Sequence, residues 1–173
     1  MQKHFIPLVI VALLVSVLAD VTHAQSAKEA FGTLKELEAR CQVKGISYQD
    51  YRSGLADARS EVNLYLKSPL AAENNGITDS IRKVMSHYEF ANDVWFADIR
   101  MKAMRSYLGP KGEPGQEALR RYPMANKNYR EGGALSGPEG VVLVEYLLPI
   151  IWNEASEELK ASEARLLEMA AGL

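Results

Sequence analysis

The chain has 173 residues, 24% of them charged and 8% aromatic, with a formal net charge of −2. A balance this close to neutral, with no basic stripe interleaved with aromatics, argues against nucleic acid as a partner and against a polybasic membrane patch. A single cysteine, Cys41, excludes a fold stapled by internal disulfides.

The chain opens with the pattern of a secretory leader. "MQKH" is short and basic, "FIPLVIVALLVSVLA" is apolar, and "DVTHA" ends in small residues where a signal peptidase cuts. Asp20 ends the apolar run before it reaches the roughly 20 residues that a membrane anchor requires. Cleavage after Ala24 is therefore expected. Residues 25–173 would be secreted across the inner membrane into the periplasm, with no stable membrane insertion afterwards. That length suits one domain with a core of its own.

The first helix is expected at about 27–43. Ala27, Ala30, Phe31, Leu34, Leu37 and Cys41 repeat at the helical period and form its apolar stripe. On that stripe Cys41 reads as a buried small hydrophobe, with a reactive or intermolecular thiol as the alternative. Gly45 sits where a left-handed cap residue ends a helix. Ser47 then caps a second helix at about 48–67, with Asp50 three residues on as a short capping box and Ile46 and Tyr51 as a candidate staple. Tyr51, Leu55, Ala58, Val62 and Leu66 are its inward stripe. Gly54 and Ala58 are small enough to let a neighbouring helix come close. Pro69 and Asn75-Gly76 read as breakers.

The third helix is expected at about 78–107, roughly 45 Å long at 1.5 Å per residue, and it has two apolar faces. Ile81, Val84, Met85, Tyr88, Trp95, Ile99 and Ala103 share one. Phe90, Val94, Ala97, Met101, Met104 and Leu108 share the opposite one, beginning halfway along. A helix apolar on both sides requires two partners. The second face could meet the following loop folded back on it, another protein, or a small apolar ligand. His87 lies in the polar seam between the faces and reads as solvated or hydrogen-bonded.

Residues 109–140 hold seven of the 12 glycines and four of the seven prolines. Within this excursion "GQEALRRY" reads as a short helix closed by Pro123, and "MANKNYRE" as another turn or two. Arg120, Arg121, Tyr122 and Tyr129 are residue types enriched at interfaces. A long Gly/Pro-rich excursion inside a domain is uncommon unless it functions or is disordered. The alternative role is a cap on one end of the helices. The last helix is expected at about 147–170, with Pro149 in its first turn and Leu148, Ile151, Ala155, Leu159, Leu166 and Met169 inward. A kinked helix from Val142 is the rival reading.

The expected fold is all-α, a four-helix-bundle-like single domain with a long Gly/Pro-rich excursion between helices three and four. Motifs for chemistry are missing. Covalent haem needs Cys-x-x-Cys-His, a di-iron site needs two Glu-x-x-His units, and a triad needs a histidine and a nucleophile elbow. His87 is the one histidine beyond the leader. Glu89 and Asp93, four residues apart, are the one acidic pair on a single face that could hold a cation, and two carboxylates alone are a weak signal. No cofactor or metal is expected, and the chain reads as non-catalytic. The expectation is an interaction or structural module of the bacterial cell envelope. Its face would be Phe90, Val94, Met101, Met104 and Leu108 with Arg120, Arg121, Tyr122 and Tyr129, binding a protein partner or a second copy. The alternative is a carrier or sensor of a small apolar ligand within the helices.

Overall fold

The computed structural model describes residues 27–103, 109, 113–132 and 142–171. The leader, Met104, Leu108 and the segment 133–141 lie outside the described residues. The protein is all-α, with no strand among the described residues. The helices are α1 (27–41), α2 (Tyr48–Leu66), α3 (Pro69–Glu73), α4 (Asn75–Ala103), α5 (Gly115–Arg121), α6 (Pro123–Arg130) and α7 (Val144–Ala171).

The α1–α2 corner forms from local chemistry. Gly45 takes φ +81°, a conformation that a Cβ would strain, and so reverses the chain. Ser47 then accepts the Asp50 backbone N–H at 3.1 Å and donates to the Asp50 carboxylate at 2.6 Å. One orphan N–H of the new helix is thereby satisfied. The corner folds α2 back along α1, and Gly54 lets them touch. A Cβ there would stand 3.0 Å from Arg40 Cδ and 3.2 Å from Leu37 Cδ1.

Cross-contacts give the direction of each pairing. Tyr65 meets Thr78, Arg59 meets Glu89 and Tyr48 meets Asn92, so α2 and α4 run antiparallel. Ser80 meets Arg165, Lys83 meets Glu158 and Trp95 meets Trp152, so α4 and α7 do the same. α4 packs most extensively along α7. α1 lies antiparallel to α7 through Lys35–Glu163 and Ser156–Glu38. Leu34, Leu37, Tyr51, Leu55, Ile81, Val84, Tyr88, Leu147, Ile151 and Leu159 fill the space between, each at most 5% exposed. The hydrophobic effect supplies roughly 1.5–3 kcal/mol for each large side chain so buried.

Three boundaries differ from the sequence expectation. α4 begins at Asn75, not at Thr78. The Asn74 carbonyl accepts from Ile77 and Thr78, so Asn75 and Gly76 occupy the first turn, where N–H groups need no intrahelical acceptor. Thr78 is no cap: it is buried, donating to the Ala71 carbonyl at 2.8 Å and bonding the Tyr65 hydroxyl at 3.1 Å. Pro69 ends α2 as expected but then opens α3, since a proline in the first turn loses no hydrogen bond. α7 begins at Val144, not Leu147, so Pro149 lies within the helix. The Glu145 carbonyl is left without its helical donor on an exposed side where water can reach it.

Gly54→Val should force Leu37 and Arg40 apart. The expected loss is about 1–3 kcal/mol of unfolding free energy in a urea titration, with an unchanged slope. A variant as stable as the parent would show that the α1–α2 approach is not tight.

Candidate functional site

Tyr88 and Phe90 are both buried on α4, at 0% and 8% exposure. Two residues diverge by about 200° on a helix, so α4 is covered on both sides at this level. Over Phe90 the cover is the α5–α6 corner. The Tyr122 ring stacks on Phe90 with centroids 5.9 Å apart, and the Arg121 guanidinium lies 4.7 Å above the same ring. Arg121 also donates to the Ser86 hydroxyl at 3.1 Å. His87 Nδ1 lies 2.9 Å from the Tyr122 hydroxyl. Arg121, Tyr122 and His87 therefore clasp the α5–α6 corner onto α4.

The residues named from sequence separate accordingly. Phe90, Val94 and Tyr122 are buried within the chain, while Arg121 is half-buried above Phe90. Met101 and Tyr129 are half-buried against the core. Arg120 is exposed and holds Glu117 through two hydrogen bonds, 2.5 and 2.7 Å long. Met104 and Leu108 lie outside the described residues. Glu89 is bound by Arg59 at 3.0 Å, so the pair with Asp93 is partly neutralised from α2. Among the described residues no three metal-ligating side chains converge.

The first face of α4 also departs from its pattern. Ile99, placed on the core stripe by periodicity, is 39% exposed, and Phe96 beside it is 46% exposed. The reason is the length of the partner. Tyr48, the first residue of α2, stacks on Phe96 at 6.3 Å and meets Trp95 at a tilt, with centroids 5.4 Å apart. Beyond that level α2 offers nothing for α4 to pack on. Arg52 lies over Tyr48 and Arg100 over Phe96, each 5.7 Å from the ring centroid. The result is a surface strip of aromatic rings between two guanidinium groups. Phe96, Ala97, Arg100 and Met101 line a shallow cleft of about 240 Å³ beside it, with Glu113 across it.

A second cleft, of about 470 Å³, opens between the 42–46 turn and the first turns of α7. Trp95 and Trp152, the two tryptophans of the chain, both line it and meet at 6.0 Å. Cys41 lies at its edge; burial, and then the Glu38 carboxylate, push its thiol up to about 12. Cys41 is therefore a buried thiol whose surroundings disfavour the thiolate. Tyr51 and Tyr88 are held above their ordinary values by burial and then by Cys41, and Tyr51 donates to the Tyr88 carbonyl at 2.6 Å. Periodicity could not find this cleft, because it is made by a turn and a proline-bearing helix start.

Compared with known proteins, the chain matches no family model, no curated protein and no solved structure.

Burial, then Arg121 and Lys83, hold the His87 ring down at about 4, against an ordinary value of 6.5. The folded state therefore favours the neutral ring. Stability is full above pH ~6.5 and declines as pH falls toward 4, because the unfolded chain takes up the proton first. For a half-buried ring the loss should be on the order of 1–2 kcal/mol after solvent screening. Urea midpoints between pH 7 and pH 4 should show this slope in the parent, and His87→Gln should flatten it. An identical slope in both proteins would remove His87 from the account. Phe90→Ala should cost about 3–5 kcal/mol, as the loss of a buried aromatic ring does, and be read as a lower urea midpoint. A variant that unfolds like the parent would show that α5–α6 does not cover this face.

Proposed function

We propose that the protein is a non-catalytic interaction module of the bacterial cell envelope, secreted to the periplasm after cleavage of residues 1–24. Its docking surface is the far end of α4. The observation that carries this reading is the exposure of Phe96 and Ile99, two large apolar residues one turn apart, where α2 stops short. Arg52 and Arg100 flank the strip, and Met101 supplies an adaptable side chain beside it. Aromatic residues, arginine and methionine are the types enriched at interface centres. The proposed face thus differs from the one expected from sequence and shares only Met101 with it, since Phe90, Val94 and Tyr122 serve the chain's own packing. The partner is another protein or a second copy of this chain.

We infer further that the arrangement is a four-helix-bundle-like single domain of α1, α2, α4 and α7, with the α5–α6 corner clasped to one side. The closed circuit of antiparallel neighbours, α1 on α2, α2 on α4, α4 on α7 and α7 on α1, supports it. No described helix is long and apolar enough to cross a membrane. A second reading, a carrier or sensor of a small ligand, is favoured by the tryptophan-lined cleft.

Site-specific photo-crosslinking in intact cells tests the interaction reading. A photoreactive residue at Phe96 or Ile99 should give a discrete adduct, at twice the monomer mass if the partner is a second copy. The same residue at Leu64, exposed on the outer side of α2, should give none. Equal labelling at all three positions would overturn the proposal.

A further inference from the structure

The cleft between the 42–46 turn and α7 has walls of opposite charge over an apolar floor. Lys44 stands on the turn, and Glu145 stands on the facing start of α7. Neither is in an ion pair among the described residues, and they do not pair with each other. Between them lie Trp95, Trp152, Leu148 and Ile46, with both indoles half-buried. The volume, about 470 Å³, falls within the range of small-molecule sites, roughly 300–1,000 Å³.

Pro149 adds a second polar feature. It lies inside α7 and has no N–H, so the Glu145 carbonyl lacks the donor that any other residue would give it. Glu145 and Pro149 both line the cleft. The α7 wall thus presents a carboxylate and an open carbonyl on one residue, both acceptors. Such a wall suits an ammonium group. Across from it, the Lys44 ammonium suits a carboxylate.

We propose that this cleft binds a small zwitterion with an apolar side group, of the class of free apolar α-amino acids. The ligand's ammonium lies toward Glu145, its carboxylate toward Lys44, and its side group on the two indoles. This inference rests on the carrier or sensor reading and is independent of the Phe96 strip. A singly charged ligand would leave one wall charge unmatched, which is how the site would select against it.

Both tryptophans line the cleft, so intrinsic emission reports its occupancy. Four probes separate the contributions on the purified protein: L-phenylalanine, phenethylamine, 3-phenylpropanoate and benzyl alcohol, each titrated by fluorescence and by calorimetry. L-Phenylalanine should bind saturably, and about tenfold or more tighter than either singly charged analogue. Lys44→Met and Glu145→Gln should each weaken phenylalanine by about tenfold, with helical circular dichroism unchanged. Equal affinity for all four probes, or binding of benzyl alcohol alone, would overturn the zwitterion and leave the carrier reading standing. Full affinity in both variants would likewise overturn it. No saturable binding of any probe would overturn both.

Discussion

Tyr88 and Phe90 point to opposite sides of α4 and both are buried, and most of the architecture follows from that requirement. A helix covered on one side can lie at the edge of a helical layer. A helix that must be covered on both has to be enclosed by two sets of neighbours. α2 and α7 supply one cover, where Tyr51 bonds the Tyr88 carbonyl and Ile81 and Val84 join the core. The α5–α6 corner supplies the other, through Tyr122 and Arg121 on Phe90. The α5–α6 corner therefore completes the core and is not an appendage to it.

The polar groups at that second cover make it specific. Arg121 lies over Phe90 and also reaches Ser86, and Tyr122 stacks there with its hydroxyl at His87. Apolar burial alone would tolerate a sliding corner. Two hydrogen bonds at fixed positions on α4 set the register. The neutral His87 ring is suited to this place, since Arg121 and Lys83 nearby disfavour a second positive charge. The other perturbed buried groups, the Cys41 thiol and the hydroxyls of Tyr51, Tyr88 and Tyr122, are displaced upward by burial.

Sequence reading succeeded where structure is decided locally. Ser47 acts through one hydrogen bond within three residues and behaves as the sequence implies, while Gly45 takes its left-handed angle in the 43–46 turn, after α1 has already ended at residue 41. Asn75-Gly76 and Pro149 misled because each has a strong local preference that a helical position can accommodate. The former sits in a first turn that asks for no donors, the latter on a side where a carbonyl can turn to water. Ile99 misled for a different reason. Periodicity shows which residues share a face but not where the facing helix ends, and α2 begins only at Tyr48. The second stripe on α4 was legible as a stripe. Whether its cover came from this chain or another depended on a contact between residues 35 apart in sequence, Ser86 and Arg121, which no local pattern encodes.

The two proposed surfaces are joined by one row of packed rings. Trp152 meets Trp95, Trp95 meets Tyr48, and Tyr48 stacks on Phe96, with centroids between 5.4 and 6.3 Å. This row of four rings runs from the floor of the cleft to the exposed strip, drawing on α7, α4 and α2. Aromatic side chains have two rotatable angles each, so a surface built from them loses little conformational entropy when it is covered. Tyr51 braces the row from within, against both Trp95 and Trp152, and is itself fixed by its bond to the Tyr88 carbonyl. The burial that encloses one side of α4 thereby also stiffens the rings that its far end leaves exposed.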